Sequence, residues 1–201
     1  MNNADGSAKF SFGSSACVLV GCYGPVAANA RDEQTDQAVL EVSTASSAQQ
    51  SGIYDTELEL FVKGCAEHVV LRAAHPRTAV VLSSQVFGGD GSTLAAAVNA
   101  ACLALLDASV PMRSLVVAVC CAVLDDGSVL LDPTAAEESA ARGLLTVAFD
   151  STLSGIVLTH AAGVIETEQF FECCELARKA CSRLLAFVRA TQQKHFEPAR
   201  E

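Results

Sequence analysis

The chain has 201 residues, of which 51% are hydrophobic, and a formal net charge of −10 from 13 basic and 23 acidic side chains. That length fits one domain with a continuous core, and the surplus of acid excludes a free polyanion binder that works by bulk charge. The longest apolar run, Leu115 to Leu124, is too short to span a bilayer, and the start Met1-Asn2-Asn3-Ala4-Asp5 lacks the pattern of a signal peptide, so an intracellular chain with no membrane contact is expected.

Residues 1–8 and 194–201 are polar and aperiodic and read as flexible ends around a domain over residues 9–193. Ser14-Ser15 is a turn. Strands are expected at Ala16 to Tyr23 and Ala38 to Val42, with a bend at Gly24-Pro25 and a loop from Ser43 to Ser51. Leu58, Phe61, Val62, Cys65, Val69 and Val70 recur at helical spacing and predict a helix from about Tyr54 to Ala73. A strand follows over Thr78 to Phe87. The turn Asp90-Gly91 then leads into residues 94–106, almost entirely Ala, Leu, Val and Cys; such a helix must be surrounded by protein. Ser92 or Thr93 is its expected cap and Pro111 its end. Next come a hairpin of Ser114 to Leu124 with Ser128 to Leu131 around Asp126-Gly127, strands at Leu144 to Phe149 and Ile156 to Thr159, and a last helix from Thr167 to Thr191. In that helix Arg178, Lys179, Arg183 and Arg189 lie off the apolar side. Strands and helices are mixed without strict alternation, which argues for an α+β fold.

Nine cysteines, an odd number without ligand spacing, read as free buried thiols and imply neither metal nor cofactor. Cys120 and Cys121 are adjacent in one strand and should point to opposite faces.

An ordered set of short pieces carries a family resemblance: His75-Pro76-Arg77-Thr78 before a strand, the turn and alanine-rich helix from Asp90 to Val110-Pro111-Met112, Asp125-Asp126-Gly127 between two strands, and Leu131-Asp132-Pro133-Thr134 after them. From about Phe10 to Phe187 the chain resembles the RNase PH family. Tyr23-Gly24-Pro25 and Asp132-Pro133-Thr134 are similar to one branch of it, a core-ring subunit of the eukaryotic exosome. The resemblance implies an RNase PH-type α+β fold of the ribosomal protein S5 domain 2-like kind.

Active members of that family transfer the terminal nucleotide of RNA to phosphate, which takes cations for the phosphates and carboxylates for a metal ion. Their turn resembles Gly-Thr-Arg-Thr; here Ser92-Thr93-Leu94-Ala95 stands in its place, and Leu94 donates nothing to an anion. Their preceding helix carries a pattern like Arg-Ser-Leu-Arg, matched here by Gly64-Cys65-Ala66-Glu67, with Lys63 the basic residue nearby. Their acidic pair corresponds to Glu138 and Leu144, one acid and one aliphatic. Asp132 and Glu137 remain as residual acidic candidates, placed like helix-start charges. His68, His75 and Ser14-Ser15 lack the partners a catalytic base or nucleophile needs.

The resemblance therefore implies a non-catalytic structural subunit of the exosome core ring, supporting 3′-to-5′ RNA processing and decay, rRNA processing included. Its partners would be other RNase PH-type exosome subunits, exosome cap proteins and RNA passing through the assembled ring, in the nucleus with its nucleolus and in the cytoplasm. In isolation a homodimer would cover its apolar surface. The alternatives are an active homodimeric phosphate-dependent exoribonuclease or nuclease using Asp132, Glu137 and Glu138, and a contributor to a composite site on a partner.

Overall fold

In Ala16, Val18, Val20 and Cys22, and again in Val80, Leu82 and Val86, the buried residues alternate, so each run forms a strand with one face in the core. The computed structural model describes residues 4–13, 16–46, 52–88 and 91–196. Among these, two four-stranded sheets form. The first has the order β1-β2-β4-β3, from β1 (Gly6–Phe12), β2 (Ala16–Ala27), β3 (Val39–Ser46) and β4 (Thr78–Gly88). Only the β3–β4 pair in it is parallel, and the crossover between them is α1 (Ile53–Val69). The helix α2 (Thr93–Asp107) follows β4. The second sheet is antiparallel throughout, in the order β6-β5-β7-β8, from β5 (Val116–Val123), β6 (Val129–Leu131), β7 (Gly143–Asp150) and β8 (Ile156–Gly163). The short α3 (Ala135–Ala140) and the long α4 (Thr167–Phe196) complete the chain.

α2 lies between the sheets. One core joins Val18, Leu40, Leu58, Val80 and Leu82 through Val98 and Leu105 of α2 to Val116, Ala118, Cys120 and Ala148 of the second sheet. A second core fills the opposite face of that sheet, where Val117, Val119, Cys121, Val147 and Phe149 meet Cys173, Ala177, Cys181 and Leu185 of α4. Cys120 and Cys121 thus face opposite ways, as alternation requires.

β6 has three residues and pairs only Cys121 to Val123 of β5, which leaves backbone groups earlier on that edge without a strand partner. Side chains of α2 supply part of what is missing. The Asn99 amide donates to the Ala118 carbonyl at 2.9 Å and its oxygen accepts from the Ala118 N–H at 2.8 Å, while the Val116 N–H donates to Cys102 Sγ at 3.3 Å. The Asp132 N–H donates to the Cys120 carbonyl at 2.9 Å.

Several expected boundaries move. The supposed flexible start contains β1 from Gly6, tied down because the Ser7 N–H donates to Asp107 at 2.9 Å and Asp5 accepts from the Gly24 N–H at 2.7 Å. The C-terminal segment expected to be flexible from residue 194 is helical to Phe196. Gly24-Pro25 is a cis peptide with a register irregularity inside β2, which continues to Ala27. β3 occupies the first part of the Ser43 to Ser51 loop, up to Ser46. α1 stops at Val69 because Val70 turns extended to bridge Met112, and residues 72–74 form a separate 3-10 turn. α2 ends at Asp107, four residues before Pro111, with Ser109 in the left-handed region. β8 runs on past Thr159 to Gly163.

Candidate functional site

The link from β4 into α2 sets the site. Gly91 has φ +85°, and a Cβ there would sit 2.1 Å from the Pro133 carbonyl oxygen, so only glycine lets the loop after β6 lie against the start of α2. Ser92 follows with φ 50° and makes no side-chain cap, contrary to the sequence expectation. Its hydroxyl donates instead to the Pro133 carbonyl at 3.3 Å, and its backbone N–H donates to Glu138 Oε1 at 2.7 Å. A carboxylate of the chain itself thus occupies a position where a helix N-terminus would receive an anion.

Around this bond lies a cavity of about 390 Å³. α1 contributes Tyr54, Glu57 and Leu58, and α2 contributes Ser92, Thr93 and Leu94. The floor is the second sheet, where Cys120, Thr146 and His160 form one row across β5, β7 and β8, with Leu144 and Ala162 paired beside them. His160 Nε2 donates to Glu57 Oε1 at 2.6 Å while its ring meets Phe61 edge-on at 5.8 Å.

No lysine or arginine lines this cavity among the described residues. Two of the groups that line it, Cys120 and Tyr54, are held toward their neutral forms. Burial pushes the Cys120 thiol up to about 11, opposed by a hydrogen bond from Thr146 and reinforced by Glu138. The Tyr54 phenol is raised by burial, with a Thr93 hydrogen bond opposing and Glu138 and Glu57 adding to the rise. Asp132, although exposed as a residue, has its carboxyl drawn toward Ser92; partial desolvation raises it above the usual carboxylate range, with the Ser92 hydrogen bond acting against this.

Of the residues singled out from the sequence, Ser92, Thr93, Leu94, Glu138 and Leu144 come together here, and Asp132 adjoins them through Ser92. Glu137 points elsewhere. It closes a capping box on α3, accepting from the Thr134 N–H at 2.8 Å and the Thr134 hydroxyl at 2.9 Å, which holds its carboxyl below the usual range. Glu67 does not reach the cavity. It lies ten residues from Glu57 on α1, about 15 Å along the axis, and pairs with Arg72 at 3.7 Å. The acid that α1 brings to the site is Glu57. His68 is in the last turn of α1, and His75 accepts the Thr78 hydroxyl at its carbonyl. Ser14-Ser15 lies outside the described residues. Sequence reasoning missed Tyr54, Glu57, Cys120, Thr146 and His160; the spacing of Tyr54, Glu57 and Leu58 on one helix face was the available signal.

The sequence matches the 3′ exoribonuclease (RNase PH) family, domain 1 over residues 1–111 and domain 2 over residues 114–180. The chain belongs to that family. The two matched regions meet between α2 and β5 and share the first core. The protein called Exosome complex exonuclease RRP46 homolog of Oryza sativa subsp. japonica is 32% identical over 210 residues, covering 96% of this chain and 88% of that protein. Its namesake in Arabidopsis thaliana is 32% identical over 211 residues, with the same two coverages of 96% and 88%. The crystal structure of rice Rrp46 matches with a TM-score of 0.88 at 34% identity over 95% of this chain and 90% of that one. An archaeal exosome core chain shares the RNase PH fold, with a TM-score of 0.77 at 20% identity over 92% of this chain and 81% of that one. No helix among the described residues is long and apolar enough to cross a membrane.

Proposed function

We propose that this chain is a non-catalytic structural subunit of an exosome core ring, supporting 3′-to-5′ RNA processing and decay, rRNA processing included. The observation that carries the reading is the bond from the Ser92 N–H to Glu138, in a cavity without lysine or arginine. Phosphorolysis needs inorganic phosphate and the terminal phosphodiester side by side, a concentration of negative charge that cations must offset. Glu57 and Glu138 make the local field negative. A single carboxylate about 5 Å from a phosphate opposes it by roughly 3 kcal/mol at an effective dielectric constant of about 20. Leu94 and Leu144 bring no charge, and the lining imidazole, His160, is already bonded to Glu57.

The partners of this reading are other RNase PH-type subunits and cap proteins, with RNA threading the assembled ring, and its setting is intracellular: nucleus, nucleolus and cytoplasm. The rice and Arabidopsis relatives are called exonucleases, and one assay separates the two readings. Purified chain, incubated with single-stranded RNA and phosphate, is expected to release no nucleoside diphosphate, while co-purification from cells recovers other ring subunits. Phosphate-dependent release that is lost in Glu138→Gln would overturn the scaffold reading in favour of an active enzyme.

A further inference from the structure

Charge along α4 is divided. Glu168, Glu172 and Glu175 belong to its first part, whereas Leu176 to Phe196 contains Arg178, Lys179, Arg183, Arg189 and Lys194 and no acidic residue. Cys173, Ala177, Cys181 and Leu185 bury one side of the helix against the second sheet. On the outer side Lys179, Arg183 and Phe187 follow at four-residue steps and Lys194 continues the line two turns on, so the four form one stripe. All four are exposed, and Phe187 keeps 63% of its surface in solvent.

The stripe is not consumed inside the molecule. Among the described residues none of its cations forms an ion pair, including with Glu175, which is one turn before Lys179. Arg178, by contrast, is engaged over the Phe149 ring at 5.7 Å. Favourable interaction with the helix dipole extends only to the last turn and so accounts for Lys194 alone. Cores of protein–protein interfaces are enriched in arginine and aromatic residues but depleted in lysine, and two of the four residues of this stripe are lysines. Phe187 instead stands between Arg183 and Lys194, an interleaving of cations and an open aromatic ring that suits a single-stranded nucleic acid, with phosphates on the cations and a base on the ring.

We propose that this outer face of α4 binds single-stranded RNA through Lys179, Arg183, Phe187 and Lys194, at a surface separate from the cavity. The site does not depend on the scaffold reading, and its failure would leave that reading standing.

The test is fluorescence anisotropy of the full-length chain with a labelled oligouridylate over a salt series. Binding at low ionic strength is expected, and K179E/R183E should weaken it by roughly tenfold or more and flatten the log–log salt dependence by roughly 0.7 for each lost phosphate contact. F187A should weaken binding roughly fivefold or more with the salt slope kept, and F187W should restore it. The charge-matched control K9E/R31E, at exposed positions away from α4 and from the cavity, should have a much smaller effect. The proposal is overturned if the wild-type chain does not bind, if the control is as damaging as K179E/R183E, or if the α4 variants bind normally. In the last case, loss of co-purification with a ring subunit would assign the stripe to an acidic protein surface.

Discussion

β5 presents Cys120 to one side of the second sheet and Cys121 to the other, and the two thiols meet different surroundings. On the Cys121 side every inward residue of β5 and β7 is apolar, from Val117 and Val119 to Leu145, Val147 and Phe149, and α4 covers them mainly with apolar side chains and thiols, with Arg178 over the Phe149 ring. On the Cys120 side the same strands present Ala118, Thr146 and Leu144 to α2 and the cavity, where Asn99 completes the backbone pairing and Glu138 meets the start of α2. The first face is held by burial and shape, which tolerate volume-conserving change. The second depends on a few hydrogen bonds, each expensive to leave unmade.

The largest effect that probes both faces together is alkaline unfolding. Burial raises Cys22, Cys65 and Cys181 to about 12, and Cys102 and Cys120 to about 11, from 9.0; Cys121 is also pushed up. Because the folded values lie above the unfolded one, these thiols favour folding fully below pH 9.0 and lose that contribution as pH rises toward 11–12. Each costs roughly 1 kcal/mol per pH unit in that window, several kcal/mol in sum. Urea melts from pH 7 to above pH 10 are expected to show a flat region and then a steep fall, on both faces alike; a flat profile to the end would mean the thiols are not desolvated as the fold implies.

Truncation at the apolar face ranks next. Phe149→Ala removes a fully buried ring and is expected to cost about 3–5 kcal/mol, whereas Leu145→Met should stay within about 1.5 kcal/mol. Equal penalties for the two would show that this face is not ruled by volume.

That face was also the legible one. The apolar run from Leu115 to Leu124 predicts a buried strand, and the helical spacing of Cys174, Ala177, Cys181 and Leu185 gives the last helix an apolar side to cover it. The cavity face was not. Asn99 is one amide within an otherwise apolar helix, and its need arises from β6 being three residues long, a tertiary fact. α3 has six residues, too few for periodicity, and Glu57 reaches the site only because α1 packs across β8. Family resemblance named Ser92, Leu94, Glu138 and Leu144, which line one cavity, and Glu67, which lies further along α1 than the helix end that reaches it.

Asn99→Leu keeps the volume and removes both bonds to Ala118, leaving a buried N–H and C=O without partners. The expected loss is about 2–4 kcal/mol, read by urea melts, together with faster amide exchange at Ala118. A loss below about 1 kcal/mol would remove the distinction between the faces, since volume alone would then rule both.

The smallest stability effect is expected at Glu138, and it bears most on function. In Glu138→Gln the amide oxygen still accepts from the Ser92 N–H, so the fold should change by no more than about 1 kcal/mol, while the cavity loses one negative charge. Leu94→Arg alone should gain no phosphorolysis and no phosphate-dependent thermal shift, because the new guanidinium has Glu57 and Glu138 of the same cavity to neutralise it. The double variant L94R/E138Q frees that cation in part and should bind phosphate weakly, seen as a rise in Tm of roughly 2 °C or more near saturation, still without nucleotide release. Binding without turnover is the expected pair of outcomes, since Leu144 still supplies no carboxylate for a metal ion. Nucleoside diphosphate released by L94R alone would show that the cavity keeps the remainder of a catalytic apparatus and lacks a single arginine.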